Sequence, residues 1–160
     1  MKKKIIIGAD RPAIPLKDAI KKHLIEDLGY EVSDVGMVDE ARFVPYFETA
    51  GRVAKAIQNG DFERGILLCG TGAGMTLVAN KYKGIRAIPA TIAFEAKMCR
   101  AINDANVLCL GGHIVTPRLG TEMVDLFLTT EFKADFPKDR HEFLELAMKE
   151  IESIEAANFR

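Results

Sequence analysis

The stretch Gly65-Ile-Leu-Leu-Cys-Gly-Thr-Gly-Ala-Gly-Met75 joins a short apolar run to a loop in which every second residue is glycine. A short apolar run bounded by glycines is typical of a strand buried within a parallel sheet. In an open parallel sheet, ligands bind outside the carboxyl ends of the strands. We therefore predict that Cys69 ends a buried strand at the ligand-binding edge of a sheet.

The rest of the chain alternates short apolar runs with segments of helical periodicity. The predicted strands cover residues 5–7, 30–35, 66–69, 85–89 and 107–110, and the predicted helices cover residues 16–28, 47–57, 75–81, 93–102, 119–128 and 138–157. Strands that alternate with helices at this spacing indicate a doubly wound, parallel α/β sheet. Because the chain has 160 residues and no evident linker, we predict a single domain over residues 1–160.

Composition and charge exclude several classes of protein. The formal net charge is -1 and the pI is near 6.3, so the charge gives no reason to expect nucleic acid or an anionic membrane as a partner. No apolar run is long enough to span a bilayer. The three cysteines are odd in number and widely spaced, which argues against a disulfide framework and favours a reducing cytoplasm.

The loop after Cys69 has the composition of an anion-binding loop. Residues 70–74 carry no bulky side chain, so their backbone amides can approach an anion, and the N-terminus of the following helix adds a favourable dipole. A dinucleotide fingerprint would need a third glycine where the chain has Met75, and the Gly-Lys-Ser/Thr of a P-loop is absent. The expected ligand is therefore a small anion, such as a phosphate or an enediolate oxygen.

Cys69 is the candidate reactive group. A thiol beside a helix N-terminus should have its thiolate form favoured, and a thiolate can serve as a nucleophile or as a general base. The alternative is a buried structural cysteine, which is the commonest fate of a free cysteine. Cys109, inside an apolar run, and Cys99, on a predicted helix, are expected to pack in the core.

Other polar residues follow predicted strands. Asp10 and Arg11 come after the first strand, where the carboxylate could orient a sugar hydroxyl and the guanidinium could hold a phosphate. The alternatives are a helix-capping carboxylate and a solvated arginine. His113 follows the fifth strand and is either a base that faces the ligand or an ordinary loop residue.

Further candidates lie at the ends of two helices. Asn103 ends the fourth helix, and regular winding is expected to place it near the ligand edge, where its amide could donate to a developing oxyanion; a helix C-cap is the alternative. Arg140 and His141 open the last helix and form either an anion site or a solvated basic face. The last helix either packs on its own domain or holds a partner, and its apolar stripe is Phe143, Leu144, Ala147 and Ile151.

One class of reaction needs only the groups named so far. Proton transfer next to a carbonyl group requires a base, a hydroxyl relay and oxyanion donors. No spacing of His, Cys and Asp matches a zinc, calcium or haem site. We therefore predict neither a metal nor an organic cofactor.

The chain resembles the family of type B ribose-5-phosphate isomerases and the two galactose-6-phosphate isomerase subunits over most of its length. The motifs that carry the resemblance are IIIGAD, YEVSDVG, Pro45-Tyr46, GILLCGTGAGM, ANKYKGIRA, NDANVLCLGG and Arg140-His141. The resemblance implies a Rossmann-like sheet of five parallel strands in a three-layer α/β/α domain. It also implies a sugar phosphate as substrate, and a homodimer or homotetramer with active sites at the dimer interface and a terminal helix, residues 138–157, packed on the partner.

The same resemblance implies roles for individual residues. Cys69 would move a proton between C1 and C2, Thr71 would shuttle hydroxyl protons and Asp10 would face the sugar. Arg140 would hold the phosphate, partly across the dimer. The candidates assigned to binding the enediolate or the phosphate are Gly70, Gly72, Ala73, Gly74, Asn103, Arg11, His113, Arg140 and His141.

The chain also departs from the family pattern. Arg11 replaces the histidine that the family usually has after its first Asp, and Ile102 replaces the ring-opening histidine. The family's Asp-Tyr-Pro segment is replaced by Phe43-Val44-Pro45. His113 and Leu144 stand where the family usually has arginines. Because Ile102 cannot transfer protons, we expect a substrate that is open-chain or differently shaped, such as a tetrose phosphate, or ring opening by His113. Arg11 is expected to replace a lost phosphate contact.

Other functions stay open on the sequence alone. A subunit of a hetero-oligomeric galactose-6-phosphate isomerase is one, although the intact Cys69 argues against a purely supporting subunit. A non-catalytic sugar-phosphate-binding protein is another, and the missing histidine motivates it. A flavodoxin-like redox protein would share the fold class, which by itself decides none of these functions.

Overall fold

Five parallel strands form one sheet in the part of the chain that the computed structural model describes, residues 3–39 and 41–159. The strands are β1 (Lys4–Ala9), β2 (Glu31–Asp34), β3 (Gly65–Cys69), β4 (Ala87–Pro89) and β5 (Val107–Gly111), in the order β2-β1-β3-β5-β4. The predicted parallel α/β sheet is confirmed. The domain predicted over 1–160 includes residues 1, 2, 40 and 160, which lie outside the described residues.

Helices cover both faces of the sheet. On one face, Leu16, Cys99 and Phe127 from three helices lie in one buried cluster. On the other face, Val53 and Met75 from two helices lie in a second buried cluster. These two layers and the sheet make the predicted three-layer arrangement. The helices are α1 (Ile14–Glu26), α2 (Tyr46–Gln58), α3 (Ala73–Ala79), α4 (Ala93–Ala101), α5 (Pro117–Thr129) and α6 (Lys138–Asn158), and a 3-10 turn (Arg11–Ala13) precedes α1.

The end of α1 shows how the sequence sets an element boundary. Gly29 has a φ of +69°, a left-handed conformation that glycine adopts without steric cost. The N–H of Tyr30 then donates to the carbonyl oxygen of Leu24 at 2.8 Å, which satisfies a carbonyl group of the last helical turn. Helix α1 itself ends at Glu26, two residues before the predicted end at residue 28.

The common direction of the strands gives the sheet two different edges. Loops that follow strands meet at the carboxyl edge, where the N–H of His113, after β5, donates to the carbonyl oxygen of Gly70, after β3, at 3.0 Å. Loops that precede strands meet at the amino edge, where the N–H of Gly65 donates to the carbonyl oxygen of Asn106 at 2.9 Å. The edge at which a loop residue lies therefore depends on whether its loop follows or precedes a strand.

The terminal helix α6 buries little of its apolar surface against its own chain. Leu144 is fully buried, whereas four large apolar side chains of α6 are exposed: Phe143, Leu146, Ile151 and Ile154. Near its end, the Glu155 carboxylate accepts a hydrogen bond from the N–H of Gly84 at 2.8 Å. None of the helices within the described ranges has the length and apolar character needed to cross a membrane.

Candidate active site

Cys69 lies beneath the glycine loop that follows it. It is the last residue of β3, as predicted, and only 6% of the residue is exposed. Its sulfur accepts a hydrogen bond from the N–H of Gly72 at 3.1 Å, which holds the side chain against the loop. Cys99 and Cys109 are buried in the core, and burial raises the pKa of the Cys109 thiol to about 12.

The loop after Cys69 is shaped by close contact between two backbones. Gly72 has a φ of +81°, and a Cβ at this position would lie 3.2 Å from the carbonyl carbon of Leu110. A Cβ on Gly111 would lie 2.9 Å from the carbonyl carbon of Thr71. The loop after β3 can therefore lie this close to the end of β5 only because glycine occupies both positions. Thr71 itself stays exposed at the top of the loop.

Two rings border this loop. The ring of His113 lies 3.1–3.4 Å from the point where a Cβ on Gly70 would stand, and the ring of Tyr46 lies 3.0 Å from the corresponding point on Gly74. Ala73 and Gly74, predicted within the loop, are the first residues of α3. Sequence reasoning did not select Tyr46 as a site residue. A signal was present, since Tyr46 starts the helix after β2 and so belongs to the carboxyl edge.

Asp10 contributes a carboxylate to the same edge. Its backbone N–H donates to the carbonyl oxygen of Leu68 at 3.1 Å, which fixes it beside the end of β3. Its side chain makes no capping hydrogen bond, and its buried Oδ1 has no partner among the described residues. Burial raises the pKa of Asp10, while its own backbone N–H and the charge of His113 oppose the rise. Such an orphaned oxygen at a ligand edge is suited to accept a hydrogen bond from a ligand hydroxyl.

The candidate anion-binding side chains of this edge are Arg11 and His113. Arg11 begins the 3-10 turn after Asp10, and His113 lies in the loop after β5. Both residues are exposed. The guanidinium and the imidazole at this position can donate hydrogen bonds to an anionic group of a ligand whose other end reaches Cys69.

Asn103 does not lie near Cys69 in the same chain. It sits in the connection between α4 and β5, and therefore at the amino edge of the sheet. The expectation that regular winding would bring it to the ligand edge is wrong, because a loop that precedes a strand lies at the opposite edge from one that follows it. A five-residue strand such as β3 separates the two edges by about 13 Å. Ile102 caps α4 beside Asn103 and shares this position.

Arg140 and His141 also lie toward the amino edge. They belong to the first turn of α6, which follows a segment packed on the end of α4: the N–H of Lys133 donates to the carbonyl oxygen of Ala101 at 2.9 Å. The Arg140 guanidinium lies 4.5 Å from the centre of the Phe143 ring. The structure thus divides the candidates into a carboxyl-edge group around Cys69 and an amino-edge group around Asn103.

The carboxyl-edge group offers a thiol, a carboxylate, a hydroxyl, backbone amides, a guanidinium and an imidazole. These groups can remove a proton from carbon, relay hydroxyl protons and hold an anion. Across residues 3–39 and 41–159, no cluster of three or more His, Cys, Asp or Glu side chains could hold a metal ion.

The chain is similar to known sugar isomerases over nearly its whole length. The family model described as Ribose/Galactose Isomerase matches residues 5–144. A 4-deoxy-4-sulfo-D-erythrose isomerase of Clostridium sp. (strain MSTE9) is 44% identical over 157 residues, covering 98% of each chain. A D-erythrulose-4-phosphate isomerase of Pectobacterium atrosepticum is 40% identical over 81% of this chain and 84% of its own. The solved structure of ribose-5-phosphate isomerase B from Clostridium thermocellum is 38% identical with a TM-score of 0.85, covering 96% of this chain and 98% of that one.

Replacement of Gly72 by alanine should destabilise the fold more than replacement of Gly60, its matched control. Both glycines have positive φ, so both variants carry the strain of a left-handed residue, about 1–2 kcal/mol. Only at Gly72 would the new Cβ also press on backbone, whereas nothing lies within 4 Å of it at Gly60. In urea titrations, Gly72→Ala should lower the free energy of unfolding by roughly 1 kcal/mol more than Gly60→Ala does. Equal losses would contradict the close approach of the loop after β3 to strand β5.

Proposed function

This chain belongs to the ribose/galactose isomerase family and is an aldose–ketose isomerase, and we propose that its substrate is an open-chain, four-carbon sugar with an anionic group on C4. The proposed base is Cys69. The observation that carries the proposal is the position of its sulfur under the glycine loop, at the same edge as the buried carboxylate oxygen of Asp10 that has no partner in the described chain.

The proposed reaction moves hydrogen between neighbouring carbons. The Cys69 thiolate removes the proton from C2 of the aldose, a double bond forms between C1 and C2, and the aldehyde oxygen takes up the negative charge. Backbone amides of residues 70–74 stabilise this enediolate. The hydrogen on O2 moves to O1 through the Thr71 hydroxyl, and the Cys69 thiol returns its proton to C1. The product is the ketose, and the thiolate is restored.

Asp10 orients the sugar in this proposal. Its buried Oδ1 accepts a hydrogen bond from a sugar hydroxyl, which supplies the partner that the oxygen lacks in the described chain. Arg11 and His113, exposed at the same edge, hold the anionic group on C4. Arginine suits this task because its planar fork of donors matches the oxygens of a phosphate, and a sulfonate presents similar oxygens.

The hydrocarbon side chain at position 102 favours a substrate that needs no ring opening. The side chain of Ile102 is a hydrocarbon and cannot move a proton to or from a ring oxygen. A four-carbon aldose whose C4 carries a phosphate or a sulfonate has no free hydroxyl with which to close a five-membered ring, so it needs no ring opening. The names of two relatives, a 4-deoxy-4-sulfo-D-erythrose isomerase and a D-erythrulose-4-phosphate isomerase, support a substrate of this size.

The proposed site is completed by a second copy of the chain. Asn103 and Arg140 lie toward the amino edge and cannot reach Cys69 of their own chain across the sheet, so they would act on the partner's substrate. The exposed apolar side chains of α6 provide a surface that a partner could cover. We place helix 138–157 on the partner subunit of a homodimer, which could pair further into a tetramer. A chain that sediments as a monomer while fully active would contradict this arrangement.

Replacement of Cys69 by serine should remove most of the activity. A hydroxyl is a much weaker acid than a thiol and supplies no comparable base, so kcat should fall by about 10²–10⁴-fold. Cys99→Ala is the matched control, because Cys99 is a buried cysteine on the other face of the sheet; it should keep kcat within about twofold at a temperature below its unfolding midpoint. Full activity in Cys69→Ser would exclude Cys69 as the base.

Among sugars with an anionic group, the protein should turn over four-carbon substrates most efficiently. We expect kcat/KM for 4-deoxy-4-sulfoerythrose or erythrose 4-phosphate to exceed that for ribose 5-phosphate and galactose 6-phosphate by at least about 10-fold. The first two compounds separate a sulfonate from a phosphate as the C4 group. Efficient turnover of ribose 5-phosphate that persists in His113→Ala would contradict the proposed limit on the substrate.

A further inference from the structure

Asp104, the neighbour of Asn103, has a strained backbone. Its φ is +46°, and it is one of three non-glycine residues with positive φ in the described ranges. Side chains disfavour this left-handed region, although Asp tolerates it better than most residues. Such a conformation persists only where the surroundings determine it.

Two arginines form ion pairs with the Asp104 carboxylate, one with each oxygen. Arg86 Nη2 lies 2.8 Å from Oδ2, and its Nε donates to the backbone carbonyl oxygen of Asp104 at 2.9 Å. Arg100 Nη1 lies 2.8 Å from Oδ1. A carboxylate held on both oxygens by planar donors has its orientation fixed. The motifs ANKYKGIRA and NDANVLCLGG, which contain Arg86 and Asp104, meet at this point.

Arg100 anchors this arrangement in the protein interior. Its side chain is buried and donates to the carbonyl oxygens of Ala105 at 2.6 Å and Thr130 at 3.4 Å. Burial and the nearby charge of Arg64 lower the pKa of Arg100, and the Asp104 carboxylate opposes this change. The ion pair with Asp104 thus ties the turn to a side chain that has little freedom to move.

Asn103 differs from Asp104 in its side-chain contacts. Its side chain is partly exposed and makes no hydrogen bond within the described ranges. The backbone of the turn is therefore fixed while the carboxamide keeps both of its donor hydrogens for a group outside this chain.

We propose that Asp104 is a positioning residue: its left-handed backbone and its two arginine contacts hold the Asn103 amide in place for the enediolate in the partner's active site. The inference rests on the proposed function, because it assumes that Asn103 donates to that oxyanion. The competing explanation is that Asp104 only neutralises Arg100. In that case its loss would lower stability without acting through Asn103.

A double-mutant cycle on kcat separates these explanations. Asn103→Ala should lower kcat about 100-fold, as expected for an oxyanion donor. Asp104→Gly tolerates the positive φ but removes the carboxylate; it should lower kcat at least about 10-fold while KM changes less than about threefold. In the Asn103→Ala background, Asp104→Gly should cause no further loss, because its effect passes through a side chain that is already gone.

Two more variants keep the test valid if Asp104→Gly is unstable. Asp104→Asn tolerates positive φ and retains one oxygen for an arginine, so it should recover part of the lost kcat. Asp135→Gly is the matched control, since Asp135 also has positive φ and pairs with a cation, with Lys97 Nζ at 2.5 Å; its kcat should stay within about twofold of the wild type. Rates are compared below the unfolding midpoint of each variant, measured by circular dichroism.

Each remaining outcome decides against the inference. Losses that add in the double variant would show that Asp104 acts independently of Asn103 and would overturn the positioning role alone. A wild-type kcat for Asp104→Gly beside an impaired Asn103→Ala would do the same. A wild-type kcat for Asn103→Ala would overturn the positioning role and, separately, the oxyanion role in the proposed function, while leaving Cys69 as the base.

Discussion

The arrangement of this protein depends on the common direction of its five strands. The paired register of β3 and β5, with Cys69 opposite Gly111, brings the ends of both strands to one edge. Every loop that follows a strand gathers there, and every loop that precedes one gathers at the other edge. Cys69, Asp10 and His113 therefore share an edge, whereas Asn103 is separated from them by the length of a strand. A reaction that uses both groups requires two chains.

Close backbone contact gives the carboxyl edge its chemistry. The N–H of Gly112 donates to the carbonyl oxygen of Cys69 at 2.7 Å, and glycines at 72 and 111 leave no side chain between the loop after β3 and the end of β5. The same contact that stabilises the edge holds the thiol beneath amides that could stabilise an enediolate. At the amino edge, ion pairs instead of backbone packing fix the structure, because Arg86 and Arg100 both bind the Asp104 carboxylate. Packing fixes one half of the proposed site, and ion pairs fix the other.

The sequence predicted the elements well because their signals are local. Apolar runs located the buried strands, helical periodicity located the helices, and CGTGAG with its companion motifs identified the family, which the comparisons confirm. Asn103 was predicted at the wrong edge of the sheet. The predicted order of elements already placed its loop before a strand, and this order decides the edge. Two contacts join residues that are 18 or more positions apart in the sequence: the packing of the Tyr46 ring on Gly74, and the ion pair between Arg86 and Asp104. Such contacts, and the sign of φ at Asp104, arise from tertiary packing and leave no local pattern in the sequence.

The most direct test of the two-chain site is a mixing experiment with differently tagged chains. Cys69→Ser and Asn103→Ala are each purified, unfolded together and refolded, so that mixed dimers form at random. A mixed dimer has one site with both defects and one intact site, so activity should rise to about one quarter of the wild-type value, well above either parent. If tag pull-down shows mixed dimers but activity stays at the average of the two parents, both groups act within one chain and the account is wrong.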